Sequence, residues 1–554
     1  MRVNGKFIIF IACFILLGGS MTGCAMVKNP EQVRPSNVPT LPQVSRTPFQ
    51  PAEPTVLPIT PTATPNPIVG LGLHPGVPER LRNQITLVPG TEWAGAGKVA
   101  NVVLSPIEGP NEGSVCWVYA LVASFGTVED SVQSETLIAI WNGVDLAGRE
   151  NVELFLTPTT KSAIESLWGT GSDQYLRIAG NQEDLILHIQ QNPSSLAIVP
   201  FDELIPEWKV LKIDDLSPLQ RDFPQDAYSL SVNFGWMGSV LTELPTLPAS
   251  NRLEEKMTVI TMTGVTALVR ATGFMMDMYG MTFPGEDIRE WMIEADFTHV
   301  SNEVSFDQNC PAQDPNQQGL RFCSRPEYIE LLEYVGVDVV ELTGNHLMDF
   351  RPESLPFTME MYRQRGWQTF GGGENLEVAS QPALVEHHGN RIAFVGCNPA
   401  GPGGDWAGAG NAGTQPCNWE VFRQEIHELT NQGYMVIATL QYFETYVSTP
   451  SSQQIADFRS LSEAGAVIVS GSHAHFPQGF DFVDGRFIHY GLGNLFFDQM
   501  DYPVVGTRRE FLDRHVFYDG KHISTELLTA MLENYARPRP MTDEERGNFL
   551  SDMF

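Results

Sequence analysis

Two distant stretches of the chain repeat one pattern of apolar and polar positions. PEYIELLEYVGVDVVELTGNH (326–346) reads as a helix, a glycine, an apolar strand and a loop carrying Asn345 and His346. SSQQIADFRSLSEAGAVIVSGSHAH (451–475) repeats that order and ends in a loop with His473 and His475. The runs VDVVEL and AVIVS are nearly continuous in β-branched residues, as expected for strands covered on both faces. Ligands in open α/β folds gather beyond the carboxyl ends of such strands, where both histidine loops are expected. Two further strands end in polar groups. DFTHVS runs into Asn302-Glu303, and YMVIATL runs into Gln441-Tyr442-Phe443-Glu444.

The stretch before residue 250 alternates in the same way. KVANVVLSPI and VCWVYALVASF are strand-like, and DSVQSETLIAIWNG has helical spacing behind polar capping residues. VELFLTPTTKSAIESLWG reads as strand, turn and helix; 183–213 reads as helix, strand, loop and strand. This alternation predicts an α/β layered unit. In pattern it resembles a piece of a type 2 periplasmic solute-binding domain, most of all in SSLAIVPFDELIPEWKVLKIDD. Thr159-Thr160-Lys161 at a helix start offers N–H groups to an anion, or is ordinary threonine capping.

A chain of 554 residues is too long for one ordinary core. Its formal charge of −32, from 34 basic and 66 acidic residues, argues against nucleic acid as a partner. Arg2, Lys6 and the apolar run Phe7–Leu17 resemble an export signal, and Met21-Thr22-Gly23-Cys24 resembles a lipobox with Cys24 as the lipidated residue. Eleven prolines between residues 30 and 69 predict an extended tether. In an oxidising compartment Cys310/Cys323 and Cys397/Cys417 are expected to close two loops as disulfides. Cys116 is left as a free thiol.

The ordered set Asn302-Glu303, Gly344-Asn345-His346 with Asp349, Gly471-Ser472-His473-Ala474-His475 and Tyr490-Gly491-Leu492-Gly493-Asn494 resembles the poly-gamma-glutamate capsule biosynthesis (CapA-type) family. That family lies within the calcineurin-like metallophosphatase superfamily; RGWQTFGGGENLEVA and GNRIAFVGCN add to the likeness. The resemblance implies a divalent metal (Mn, Zn or Mg) held by Asn345, His346, His473 and His475, with Glu303, Asp349 and Glu444 in catalytic roles. Two metals about 3.5–4 Å apart can activate water for an in-line displacement. Three positions depart from the family pattern. Val265 stands where a bridging aspartate is expected, Gln441 where a histidine is expected, and Ser472 where another histidine is usual. Glu286, Asp287 and Asp307 are acidic groups that could stand in for the missing aspartate. The alternative is that Asn345 caps a turn and His346 is a satisfied loop histidine.

The expected organisation is a signal at 1–24, a tether at 25–70, a solute-binding-like α/β domain at 71–250, a metallophosphatase-like layered α/β/β/α domain at 252–518 and a C-terminal extension at 519–554. The export signal and the lipobox pattern predict an extracytoplasmic protein held at the outer face of the membrane by lipid at Cys24, the alternatives being a plain secreted protein or an uncleaved N-terminal anchor. Its implied role is synthesis, anchoring or processing of a surface polymer. Expected partners are an anionic surface polymer or its export machinery. The other reading is a non-catalytic polymer- or solute-binding lipoprotein with a degenerate metal site.

Overall fold

The computed structural model describes residues 68–95, 99–148, 152–238, 240 and 243–554. The expected signal, Cys24 and the tether up to residue 67 lie outside the described residues. No helix among the described residues is long and apolar enough to cross a membrane.

Residues 69–237 build a ten-stranded mixed sheet around the largely buried Val115–Ser124 strand, with the Pro158–Trp168 and Gln182–Gln191 helices packed on it. Thr157 accepts from the Thr160 N–H and Pro158 occupies the first turn, so this helix start is an ordinary cap, worth ~1 kcal/mol.

From residue 257 two sheets face each other. The first runs Gln368–Phe370, Val339–Glu341, Phe297–Asn302, Met257–Thr263, Arg509–Tyr518, Lys521–Glu533, Arg537–Pro540. Its first four strands are parallel and its last three antiparallel, so the 509–540 segment completes the sheet that begins at Met257. The second sheet runs Ala383–His387, Asn390–Cys397, Met435–Thr445, Ala466–Ala474, Arg486–His489, Phe480–Val483. Ile260, Met262, Phe370 and Phe511 meet Phe394, Ile437, Ile468 and Phe487 between them.

Each sheet carries helices on its other face. Leu331, Leu332, Leu355 and Tyr362 cover the first. Phe422, Ile426, Phe458 and Leu461 cover the second. The result is the α/β/β/α layering expected from sequence. The Ser452–Ala464 helix shows the local cause: Ser451 caps it by accepting from the Gln454 N–H, and the buried Phe458 and Leu461 face the sheet.

The two halves of the chain touch at the C-terminal helix Asp543–Met553, where Arg546 forks onto Asp130, which also pairs with Lys209. Both expected disulfides are present, Cys310–Cys323 and Cys397–Cys417, and Cys116 is a half-buried free thiol. Residues 537–540, within the expected C-terminal extension, form an edge strand because their backbone pairs with 530–533.

Candidate metal centre

The parallel strands of both sheets deliver their carboxyl ends to one place. The Phe297–Asn302 strand is followed at once by Glu303, and the Val339–Glu341 strand leads to Gly344-Asn345-His346. Gly344 is required by contact. A Cβ there would stand 2.5 Å from the Glu303 Cα, so only glycine lets the two loops touch. From the other sheet come Met435–Thr445 and Ala466–Ala474. Gln441 pairs with Ser472 and Thr445 with Ala474, so Tyr442, Phe443 and Glu444 bulge opposite His473, which itself takes a left-handed φ of 69°. His473 therefore lies at the end of a strand rather than in a loop, and Glu444 lies inside a strand rather than beyond one.

Glu303, His473 and His475 are buried (1%, 5% and 5% exposed), and one ligating atom of each lies within 4.8 Å of the others. Both imidazoles are held from behind. His473 Nδ1 is 2.7 Å from the Tyr442 carbonyl and His475 Nδ1 is 2.8 Å from Asn494 Oδ1, so each Nε2 remains for a ligand. His346 is oriented likewise, with Nδ1 2.8 Å from Asp349 Oδ2. These groups line a cavity of about 280 Å³ shared by Glu303, Asn345, His346, Glu444, His473 and His475. Asp349 does not line it. It backs His346 and accepts from the Phe322 N–H at 3.2 Å.

Burial alone raises the Glu303 carboxyl, but His346, His475, His473 and the Gln441 amide outweigh it and hold the group below the usual range. Burial lowers the His475 imidazole despite the opposing pull of Glu303, which favours the neutral, ligating form. Burial also lowers His346, but the hydrogen bond to Asp349 and the charges of Glu303, Asp349 and Asp405 raise it overall. Asp405 is pushed up to about 6 by burial and by Asp349.

A buried carboxylate is costly without a cation, and Glu303 has no arginine or lysine partner among the described residues. One carboxylate with two anchored imidazoles suits a divalent metal with an open coordination position. The donor set therefore fits one cation.

The departures from the family pattern explain why it fits one rather than two. Val265 is fully buried among Ala267, Val304 and Phe497, bridged to Asn494, and supplies no ligand. Gln441 donates to Glu303 Oε1 at 2.9 Å and to Asn345 Oδ1 at 3.0 Å, while Ser472 Oγ donates to Gln441 Oε1 at 2.8 Å. The candidate stand-ins for the aspartate lie elsewhere: Asp307 is tied to Arg351 and Ser354, and Glu286 and Asp287 pair with Arg537. Sequence reasoning passed over Arg270, Phe322, Tyr446, Phe497 and Gln499, which complete the cavity wall. Nothing local marked them. Asn494, quoted only as part of a motif, orients His475.

Residues 249–499 match the family model described as bacterial capsule synthesis protein PGA_cap. Curated relatives include a capsule biosynthesis protein CapA of Bacillus anthracis, 25% identical over 46% of this chain and 62% of the relative. A PGA biosynthesis protein CapA of Bacillus subtilis is 25% identical over 36% of this chain and 52% of the relative. The chain thus spans between half and two thirds of the length of these relatives. Similar solved structures include a 5'-nucleotidase precursor from Thermus thermophilus, with 12% identity, TM-score 0.33, and 53% of this chain and 58% of that one covered. An ABC-type phosphate transport receptor from Vibrio cholerae has 13% identity and TM-score 0.23, covering 26% of this chain and 69% of that one. Over residues 249–499 the chain is similar to the PGA_cap family of bacterial capsule synthesis proteins.

Proposed function

We propose that the protein acts outside the cytoplasm on an anionic capsule polymer of the poly-gamma-glutamate class, as a hydrolase using one divalent cation held by Glu303, His473 and His475. The observation that carries this reading is the convergence of those three buried donors, each imidazole fixed through its Nδ1. A cation bound there would supply Lewis-acid polarisation and a nucleophile usable near neutral pH.

The remaining steps fall to side chains. Asp349 holds the His346 ring through Nδ1, so Nε2 is the atom that delivers a proton to the leaving group. Glu444, which accepts from the Tyr446 hydroxyl at 2.5 Å, lines the cavity and takes up the proton of the attacking water. Asn345 offers its amide oxygen to the same space.

Two disulfides support an oxidising compartment. A lipid at Cys24 and a Pro-rich tether would hold the folded part off the membrane, near the polymer and its export machinery. The 71–250 unit is proposed as a separate solute-binding-like domain.

A second reading is favoured by Val265 and Gln441. They remove a carboxylate and an imidazole from the expected set, and a site so reduced can bind polymer without cleaving it.

Elemental analysis of the purified protein and of the His473→Ala/His475→Ala variant tests the proposal. About one metal per chain in the parent and none in the variant supports it, as does cleavage of a γ-glutamyl polymer by the loaded protein. Metal without cleavage, or absence of metal after Mn²⁺ or Zn²⁺ addition, overturns the hydrolase and favours the second reading.

A further inference from the structure

Arg270 is the only arginine or lysine among the described residues lining the metal cavity, in a chain with 66 acidic and 34 basic residues. Its backbone takes φ of 48°, in the left-handed region that a side-chain-bearing residue enters only when its surroundings force it. Three contacts do so. The Arg270 N–H donates to Gln313 Oε1 at 2.9 Å, the Ala271 N–H donates to Asp498 Oδ2 at 3.1 Å, and the guanidinium forks onto Asp498 through Nε and Nη2.

The guanidinium also lies between two phenyl rings, 5.3 Å from the Phe322 centroid and 5.4 Å from that of Phe497. Each ring touches a histidine of the site: Phe322 is 5.0 Å from His346 and Phe497 is 4.7 Å from His475, centroid to centroid. Aromatic stacking and a fork on one edge fix the plane of the group and spend Nε and Nη2. Nη1 has no hydrogen-bond partner among the described residues. A half-buried, fixed guanidinium with one open edge is suited to a flat or tetrahedral oxyanion.

We propose that Arg270 is the specificity-determining residue of this site: its Nη1 edge receives an oxyanion group of the substrate, a carboxylate or a phosphoryl group, beside the position of the cation. This deepens the proposed function and rests on the same cavity. The Asp498 carboxylate acts as a positioning group, and Phe322 and Phe497 carry the orientation of the arginine to the two sides of the histidine cluster.

The test is calorimetric titration of the whole Mn²⁺-treated protein with two probes, inorganic phosphate and a short γ-linked glutamate oligomer, for the parent, Arg270→Gln and Arg270→Lys. Metal content and thermal melting are read alongside. The expected result is saturable binding to the parent, at least tenfold weaker in R270Q and intermediate in R270K, which keeps the charge without the planar fork. Metal content should be unchanged in both. The probe that binds more tightly names the oxyanion. If R270Q does not fold, the comparison rests on R270K, expected to lose at least threefold.

Equal affinity in parent and variants, or no binding of either probe to the parent, overturns the proposal while leaving the metal reading untouched. Arg270-dependent binding in a protein that takes up no metal supports this inference and overturns the metal-dependent function instead.

Discussion

Gln441 Nε2 lies 2.9 Å from Glu303 Oε1 and 3.0 Å from Asn345 Oδ1, so one neutral amide joins the carboxylate of one sheet to the amide loop beside it. Ser472 continues the chain from Gln441 back toward Glu341. Where the family pattern has an imidazole, this protein has a bracket that holds Glu303 in place. Gln441→Ala removes that bracket without touching the three converging donors. Metal affinity, measured by competition with a chromophoric chelator, should fall about 10–100-fold, as is usual when an outer partner of a ligand is lost.

Gly344→Ala should be more severe than its size suggests. The added Cβ would meet the Glu303 backbone at 2.5 Å, and backbone cannot rotate out of the way. The Asn345-His346 turn or Glu303 must shift. Metal content should drop to near zero, with stability lowered by roughly 1–3 kcal/mol in urea unfolding.

Metal removal should be visible as lost stability. A ligand that binds only the folded state stabilises it by about 2.7 kcal/mol at one hundred times its dissociation constant. Differential scanning calorimetry with and without a chelator should therefore show a lower Tm for the stripped protein. His473→Ala/His475→Ala should show no chelator effect.

His515 lies fully buried between the two sheets, with Nδ1 2.9 Å from Thr525 Oγ1. Burial first, then His522, His489 and His299, hold its pKa well below that of a free imidazole. The folded pKa is depressed, so below about 6.5 the unfolded chain binds a proton that the folded one does not. Stability is lost as pH falls below that value, by about 1.4 kcal/mol per pH unit for this one group. Urea unfolding between pH 7 and pH 5 should show a shallower loss in His515→Gln than in the parent.

The Cys397–Cys417 bridge closes a loop that carries Asp405 and reaches the site through Asn398, whose Nδ2 donates to the Thr343 carbonyl at 3.0 Å. Replacing both cysteines by serine should cost roughly 3 kcal/mol of stability from loop-closure entropy. On reduction the wild type loses both bridges and the variant only Cys310–Cys323, so the drop read by thermal melting should be smaller in the variant by about that amount.

The helix–strand–loop repeat told most of this fold in advance, because Val339–Glu341 and Ala466–Ala474 are buried on both faces and their sequences contain little else. Glu303, His473 and His475 were legible because each follows such a strand. The bulge at 442–444 was not, since it depends on how two parallel strands pair, and it moved Glu444 and His473 from loops into strands. Arg270, Phe322 and Phe497 could not be read at all. They come from three separate parts of the chain, each unremarkable by itself, and acquire a role only where those parts meet. Arg508, Arg509 and Arg514, a local basic cluster in an acidic chain, pair with Asp501, Asp552 and Glu294 respectively.

The fork from Arg546 to Asp130 spans 416 positions of sequence. A ribosome must add all the residues between them before that pair can form, and Phe125 must wait as long for its edge contact with Phe554. Until then Lys209 is the only described cation on Asp130, and Phe125 rests on Phe480, Phe482 and Phe487 alone. The front unit thus gains its final seal only from residues 546–554, long after its own strands have been made.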